Sequence, residues 1–218
     1  DYVSRVAAAL GNRVRLREGV VGVSRFGEKI HETKANGDHE VFDDVSGAAH
    51  SDQAMDLLDD TFEDRRFMLG SVRYRPNEVY LHRDPCLMPT RRAAWASWNV
   101  MKQQSGEICL TYWMNRLQGI DPARPLFVTL NPETPPAEAL TFSSFTFDHP
   151  QFDAPAEAAV RSLKRVQGED GLWLAGAWMG HGFHEDGLKS GLSAALSLGG
   201  DVPWTAEGVD LVGTKTRA

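Results

Sequence analysis

The apolar positions first recur at a helical step. Tyr2, Val3, Val6 and Leu10 make one face of a short amphipathic helix, which Gly11-Asn12 ends. The period then shortens. Residues 14–16, 20–23 and 29–33 alternate as strands do, broken at Gly19 and at Phe26-Gly27-Glu28. Asn36-Gly37 is a hairpin turn signal, and residues 39–42 continue the meander. Residues 44–49, small and apolar, read as a strand returning to a parallel sheet, and Ser51-Asp52 caps a helix to about Leu58. Beyond Asp60, aromatic and β-branched residues dominate. Residues 78–83, 93–100, 108–114, 126–130 and 143–147 predict strands, with 101–107 as a hairpin loop. Alternation sends Trp95 and Ser97 to one face and Trp98 and Val100 to the other, and sets Tyr112 and Met114 opposite Trp113. The proline-rich stretch 119–139 is an ordered loop around one strand. Asp153-Ala154-Pro155 opens a helix through Gln167, which Gly168 ends. After Gly200 the chain is polar, and residues 214–218 are expected to fray.

The stretch 171–195, GLWLAGAWMGHGFHEDGLKSGLSAA, stands apart. Leu172-Trp173-Leu174-Ala175-Gly176 is a buried strand opening into a tight turn. Gly180, Gly182 and Gly187 follow in a loop, and from Glu185 the spacing of Leu188, Leu192, Ala195 and Leu196 is helical. Strand, glycine loop and helix suit an anionic or electron-rich ligand. A helix N-terminus offers unpaired N–H groups and partial positive charge, and glycine lets the backbone approach closely. A plain strand–turn–helix connection has the same composition, so the order of residues matters.

That order resembles the C-terminal flavin motif of the flavin-dependent amine oxidase and phytoene desaturase superfamily. The motif has an Ala-Gly pair ending a strand, here Ala175-Gly176. A Gly-aromatic-x-Glu run then opens the last helix, here Gly182-Phe183-His184-Glu185 through Gly191. Many members carry Thr-Glu after the pair, where this chain has Ala177-Trp178. The segments HSDQA, AWASWN and AGAWMGHGFHEDGLKSG are similar to a bacterial subgroup of amine-oxidase-like proteins. The resemblance implies FAD as cofactor. It would be met by Ala175, Gly176, Ala177, Trp178, Gly182, Phe183, His184, Glu185, Asp186 and Gly187, with N–H groups near Asp186 and Gly187 stabilising reduced flavin. It also implies a backbone contact from Val20 to adenine. The aromatic sheet would be the substrate domain that roofs the flavin, with Trp95, Trp98, Tyr112 and Trp113 as cavity candidates.

Composition narrows the partners. The chain has 218 residues, 42% apolar and 24% charged, with net charge −7. These are values of a globular protein, and the acidic balance argues against a nucleic-acid partner. No apolar run reaches the roughly 20 residues of a membrane span, and no secretory leader is evident, so a cytoplasmic protein is expected, compatible with peripheral membrane contact. Cys86 and Cys109 lack metal spacing and read as ordinary thiols. His181, His184, Glu185 and Asp186 match no zinc motif, and Arg65-Arg66 and Arg91-Arg92 read as solvated charges. No Gly-x-Gly-x-x-Gly follows a strand anywhere, although the superfamily holds the FAD pyrophosphate with it.

The expectation is therefore an α/β (α+β) fragment. A Rossmann-like FAD-domain remnant would comprise residues 1–60 and 165–218, and an antiparallel substrate domain residues 61–164. The parent would remove hydride from a C–H bond of an amine or an apolar lipid or polyene to flavin N5. The alternative is a non-catalytic substrate-binding or interaction domain that holds no FAD. The fragment would bind FAD weakly and could self-associate through the uncovered sheet edge.

Overall fold

The structure, a computed structural model, describes residues 2–202; the expected fraying of 214–218 lies outside them. In chain order the elements are α1 (Tyr2–Leu10), β1 (Val20–Phe26), β2 (Lys29–Lys34), β3 (His39–Phe42), β4 (Val45–Gly47), α2 (Ser51–Leu57), α3 (Glu63–Gly70) and β5 (Tyr74–His82). They continue with β6 (Trp98–Lys102), β7 (Ile108–Trp113), α4 (Met114–Gln118), β8 (Phe127–Leu130), β9 (Thr141–Pro150), α5 (Ala154–Leu163), β10 (Leu172–Leu174) and α6 (His184–Ser197). The chain divides into two units. One is Asp1–Arg73 with Pro150–Ala218, and the other is Tyr74–His149. Helices α3 and α5 thus belong with the first unit, inside the segment 61–164 that the sequence assigns to the sheet.

The first unit holds an antiparallel meander β1-β2-β3 and a two-stranded parallel pair, β10 on β4. Leu172, Trp173 and Leu174 pair with Val45, Ser46 and Gly47, and the Ala175 N–H extends the ladder to the Gly47 carbonyl at 3.0 Å. A parallel pair needs a long crossover, and here it is the 125 or so residues between the two strands. The outer edge of β10 is closed by a side chain. The Gln167 amide donates to the Leu174 carbonyl and accepts the Leu174 N–H, each at 2.8 Å, satisfying both groups as a neighbouring strand would. Helix α5 stops at Leu163, and Gln167 lies beyond its end rather than in it as expected. By contrast, β4 has one strand partner among the described residues.

Several other expectations are corrected. Residues 14–16 form no strand: the β1-β2-β3 sheet leaves them no ladder, and Leu16 is 79% exposed. Ser51 is the first helical residue and fully buried, with His50 at the cap. Arg65 is not solvated. It is buried, and its guanidinium meets Asp64, Glu169 and Asp170 at 2.6, 3.4 and 3.2 Å. Asp170, in the left-handed region at φ 59°, is also held by Arg25 at 2.6 Å.

The second unit is one antiparallel sheet in the order β6-β7-β8-β5-β9. Its strands differ from the expected ones mainly at their ends: β5 begins at Tyr74 rather than at residue 78, and β9 runs Thr141–Pro150 rather than 143–147. Residues 92–94 form a 3-10 turn, so the strand begins at Trp98, and Met114 already belongs to α4. Register then sorts the side chains. On one face Asn99, Thr111, Thr129 and His82 are buried. These polar groups share the face with the buried Cys109 and Phe127, and from His82 to Thr111 they are bonded in one direction. His82 Nδ1 accepts the Asp84 N–H at 3.2 Å, so the proton is on Nε2, which donates to Thr129 Oγ1 at 2.7 Å. Thr129 passes a hydrogen to Thr111 Oγ1 at 2.8 Å, and Thr111 donates to the Leu87 carbonyl at 3.0 Å.

Burial pushes the His82 pKa below its ordinary value of 6.5, against a smaller upward pull from Asp84. A histidine held neutral contributes stability that is complete above its unfolded pKa and is lost as pH falls below it. Protonation would also turn Nδ1 into a donor facing the Asp84 N–H. Urea unfolding between about pH 8 and pH 5 is expected to show stability falling from about pH 6.5 downward, and the fall to be shallower in His82→Gln. Parallel profiles for the two proteins would assign the acid loss to another group.

Candidate functional site

In the first unit, β10 delivers the chain into the loop that the sequence singles out. Ala175 is buried, and Gly176 is fixed from both sides: its N–H donates to Ser190 Oγ at 2.9 Å, and a Cβ on it would lie 2.3 Å from the Trp178 indole nitrogen. The requirement for glycine here is one of space. Ala177 and Trp178 lie in a 3-10 turn, and the buried Trp178 indole donates to the Ala49 carbonyl at 3.0 Å, tying the loop to the end of β4. Ser190 and Gln167 were not singled out by sequence. Each is a small or polar residue at a helical or post-helical position, and no local pattern announces its contact with the loop.

Asp186 organises the rest. Its carboxylate accepts the N–H groups of His181 and Phe183, both at 3.1 Å, and these backbone bonds, the Phe183 one foremost, hold its pKa below the usual value. Gly180 makes room for it, since a Cβ there would lie 2.3 Å from Asp186 Oδ1. One sequence-derived detail is corrected by this geometry. The N–H groups of Asp186 and Gly187 already donate to the Phe183 carbonyl, at 3.0 and 3.2 Å, because the first helical turn closes on Phe183. Those left without an intrahelical acceptor are on His184 and Glu185. A Cβ at Gly187 would face Ala177 at ordinary contact distance, 3.6 Å.

Gly182, Phe183, His184 and Glu185 are exposed around that helix start. Val20 stands elsewhere, at the first position of β1 in the meander. A cavity of about 410 Å³ runs along α6, walled by Lys164, Gln167, Trp173, Lys189 and Ser190. Of the sequence-predicted cofactor residues Asp186 lines it, together with Met179 and Gly180 of the same loop, so the cavity touches one side of that loop.

In the second unit the four aromatic candidates separate onto two faces. Trp95 and Trp113 pack edge to face at 5.3 Å on the buried side, with Phe127 5.7 Å from Trp95. The Arg92 guanidinium, expected to be solvated, covers Trp95 at 4.6 Å, a contact worth about 0.5–1 kcal/mol at an exposed position. Both tryptophans are part-buried. Trp98 and Tyr112 pair across β6 and β7 on the opposite face, their rings 5.5 Å apart. Register continues that row through Val128 to Leu81. The next row on the same face is Val100, Leu110, Leu130 and Val79. Trp98 is 52% and Val100 66% exposed.

No family model matches the chain, and no curated protein matches it by sequence. Solved structures do. The chain is similar to a CLA-producing fatty acid isomerase from P. acnes (TM-score 0.57, 14% identity, 89% of this chain and 50% of that one). It is similar to a reduced UDP-galactopyranose mutase (0.61, 9%, 90% and 50%) and to cyclohexylamine oxidase from Brevibacterium oxydans IH-35A (0.60, 14%, 89% and 51%). The fold is amine-oxidase-like. The α/β class with an antiparallel sheet read from the sequence is therefore correct, and the chain spans about half the length of the structures it matches. Among the described residues no helix is long and apolar enough to cross a membrane.

Proposed function

We propose that the chain is part of an FAD-dependent, amine-oxidase-like oxidoreductase, with the loop 175–187 and the start of α6 at the flavin. The observation that carries this reading is the β10–loop–α6 unit, held rigid by Trp178, Ser190 and Asp186, inside a fold shared with an amine oxidase, an isomerase and a mutase. The residues fit such a group. The loop mouth is open, its glycines bring backbone to the surface, and the His184 and Glu185 N–H groups remain as donors for an electron-rich edge. When bound, the flavin would supply hydride acceptance at N5 from a substrate C–H bond. The chain's own part is to hold the cofactor's edge at the helix end, to keep the loop in one conformation, and to present the aromatic sheet to an amine or to an apolar lipid or polyene. Val20 as an adenine contact remains part of this proposal.

A non-catalytic binding domain is the second reading, favoured by the single strand partner of β4 and the half-length match. The visible spectrum of the full-length parent separates the two: oxidised-flavin bands are expected, and a colourless, folded protein would leave only the second reading. The 218-residue chain alone is expected to bind FAD weakly and to self-associate through the open β4 edge. Tight stoichiometric binding in a fluorescence titration would show instead that nothing essential lies outside it.

A further inference from the structure

The cavity along α6 is lined by one face of that helix. At 3.6 residues per turn Asp186, Lys189, Ser190 and Ser193 fall within an arc of about 100°, whereas His184, Gly187 and Gly191 lie roughly opposite. The cavity and the small-residue face of α6 are different sides of the helix. Most polar groups of the cavity wall already have partners. Gln167 uses its amide on both groups of Leu174. Ser190 Oγ accepts the Gly176 N–H and donates to the Gly187 carbonyl, both at 2.9 Å. The Asp186 carboxylate is committed to the loop N–H groups. The half-buried Trp173 ring is fixed by indole donation to Asp44 at 2.8 Å, so it offers the cavity carbon surface, as does the buried Met179. What remains for a ligand can only donate or is a hydroxyl. Lys164 is exposed and makes no ion pair among the described residues. Lys189 meets Glu185 at 3.5 Å, with both side chains more than half exposed. Ser193 adds its hydroxyl.

We propose that this cavity binds a small aromatic carboxylate, its ring against Trp173 and Met179 and its charge taken by Lys164 and Lys189. Two ammonium groups and the one carboxylate of Asp186 leave the wall with a single positive charge, in a chain whose net charge is −7. That balance matches a monoanion. A protonated amine would add a like charge to it, and a diphosphate would bring more negative charge than the wall neutralises. The planar body follows from the Trp173 wall, since aromatic rings stack or meet edge to face on indole. The volume of about 410 Å³ lies toward the lower end of small-molecule sites and holds one or two fused rings. The site goes beyond the proposed function, because neither the cofactor nor its substrate is assigned to it.

The test uses the 218-residue chain with 2-naphthoate and its neutral counterpart 2-naphthamide as probes. The readout is the indole N–H cross peak of Trp173, assigned by its loss in Trp173→Phe. 2-Naphthoate is expected to shift that peak saturably, with a Kd below about 1 mM, and 2-naphthamide to bind about tenfold more weakly or less, the equivalent of ~1.4 kcal/mol. Lys164→Gln combined with Lys189→Gln should remove that preference. Ser193→Leu, which fills the cavity, should abolish the shift by both probes. Lys102→Gln, on β6 in the other unit, should change nothing. Both cavity lysines are exposed, so the double variant keeps the test decisive if the leucine variant does not fold. No saturable shift, equal affinities for acid and amide, or an undiminished preference in the double variant would each overturn the proposal. The assay contains no flavin. Naphthoate binding with a colourless parent would sink the flavin reading alone, and a flavin-loaded parent without naphthoate binding would sink this one alone.

Discussion

Gly171→Ala is expected to be among the most destabilising single-methyl changes in the chain. Gly171 sits at φ +76°, and a Cβ on it would lie 2.4 Å from the backbone carbonyl oxygen of Asp43 and 3.2 Å from Ile30 Cδ1. A backbone carbonyl cannot rotate out of the way as a side chain can. The residue also stands immediately before β10 and its obstacle two residues before β4, so relief must come from shifting the parallel pair itself. Gly106 provides the comparison. It has a similar φ, +89°, with nothing within 4 Å of its would-be Cβ, so Gly106→Ala incurs only the left-handed penalty of about 1 kcal/mol. Gly171→Ala should cost roughly 3 kcal/mol or more, the conformational penalty plus the overlap. Urea midpoints of the two variants measure the difference. Equal shifts would mean that the contact between 171 and 43 is loose and that the β4–β10 pair is not set by it.

The second large effect is expected at Gly180→Val, and it concerns function. The added side chain would occupy the place of the Asp186 carboxylate. That group would be forced from the His181 and Phe183 N–H groups, leaving two loop donors without their charged acceptor. Hydrogen bonds to a charged group are worth about 1.5–3 kcal/mol; because the loop is exposed, water replaces part of this. The expected outcome is a folded protein with a loosened helix start and, in the full-length parent, flavin retention reduced by about tenfold, the equivalent of ~1.4 kcal/mol. Circular dichroism and the flavin-to-protein absorbance ratio read the two parts separately. Gly187→Val should be milder on the loop mouth, since its side chain would press on Ala177 instead. If Gly180→Val keeps its full flavin content, the loop does not hold the cofactor.

The sequence by itself determined what depends on neighbours in the chain. The hairpin turns at Gly27 and Gly37, both at positive φ, the Asp153 cap on Ala156 and the strand–loop–helix order from Leu172 onward follow from φ restrictions, short-range hydrogen bonds and periodicity. The two-residue period of β6, β7, β8 and β5 was also legible, and with it which residues share a face. Which face is buried was not. Alternation is symmetric between the sides of a sheet, and only the three-dimensional path of residues 83–97, which brings Leu87, Met88 and Trp95 over one of them, breaks that symmetry. The same limit applies to Arg65, whose partners Glu169 and Asp170 are about a hundred residues away. It applies to Gln167, whose amide serves as a strand, and to Asp186, whose carboxylate turns back on its own loop. Each is a polar group whose partner is chosen by tertiary packing, and a composition or a period carries no information about a contact made across the fold.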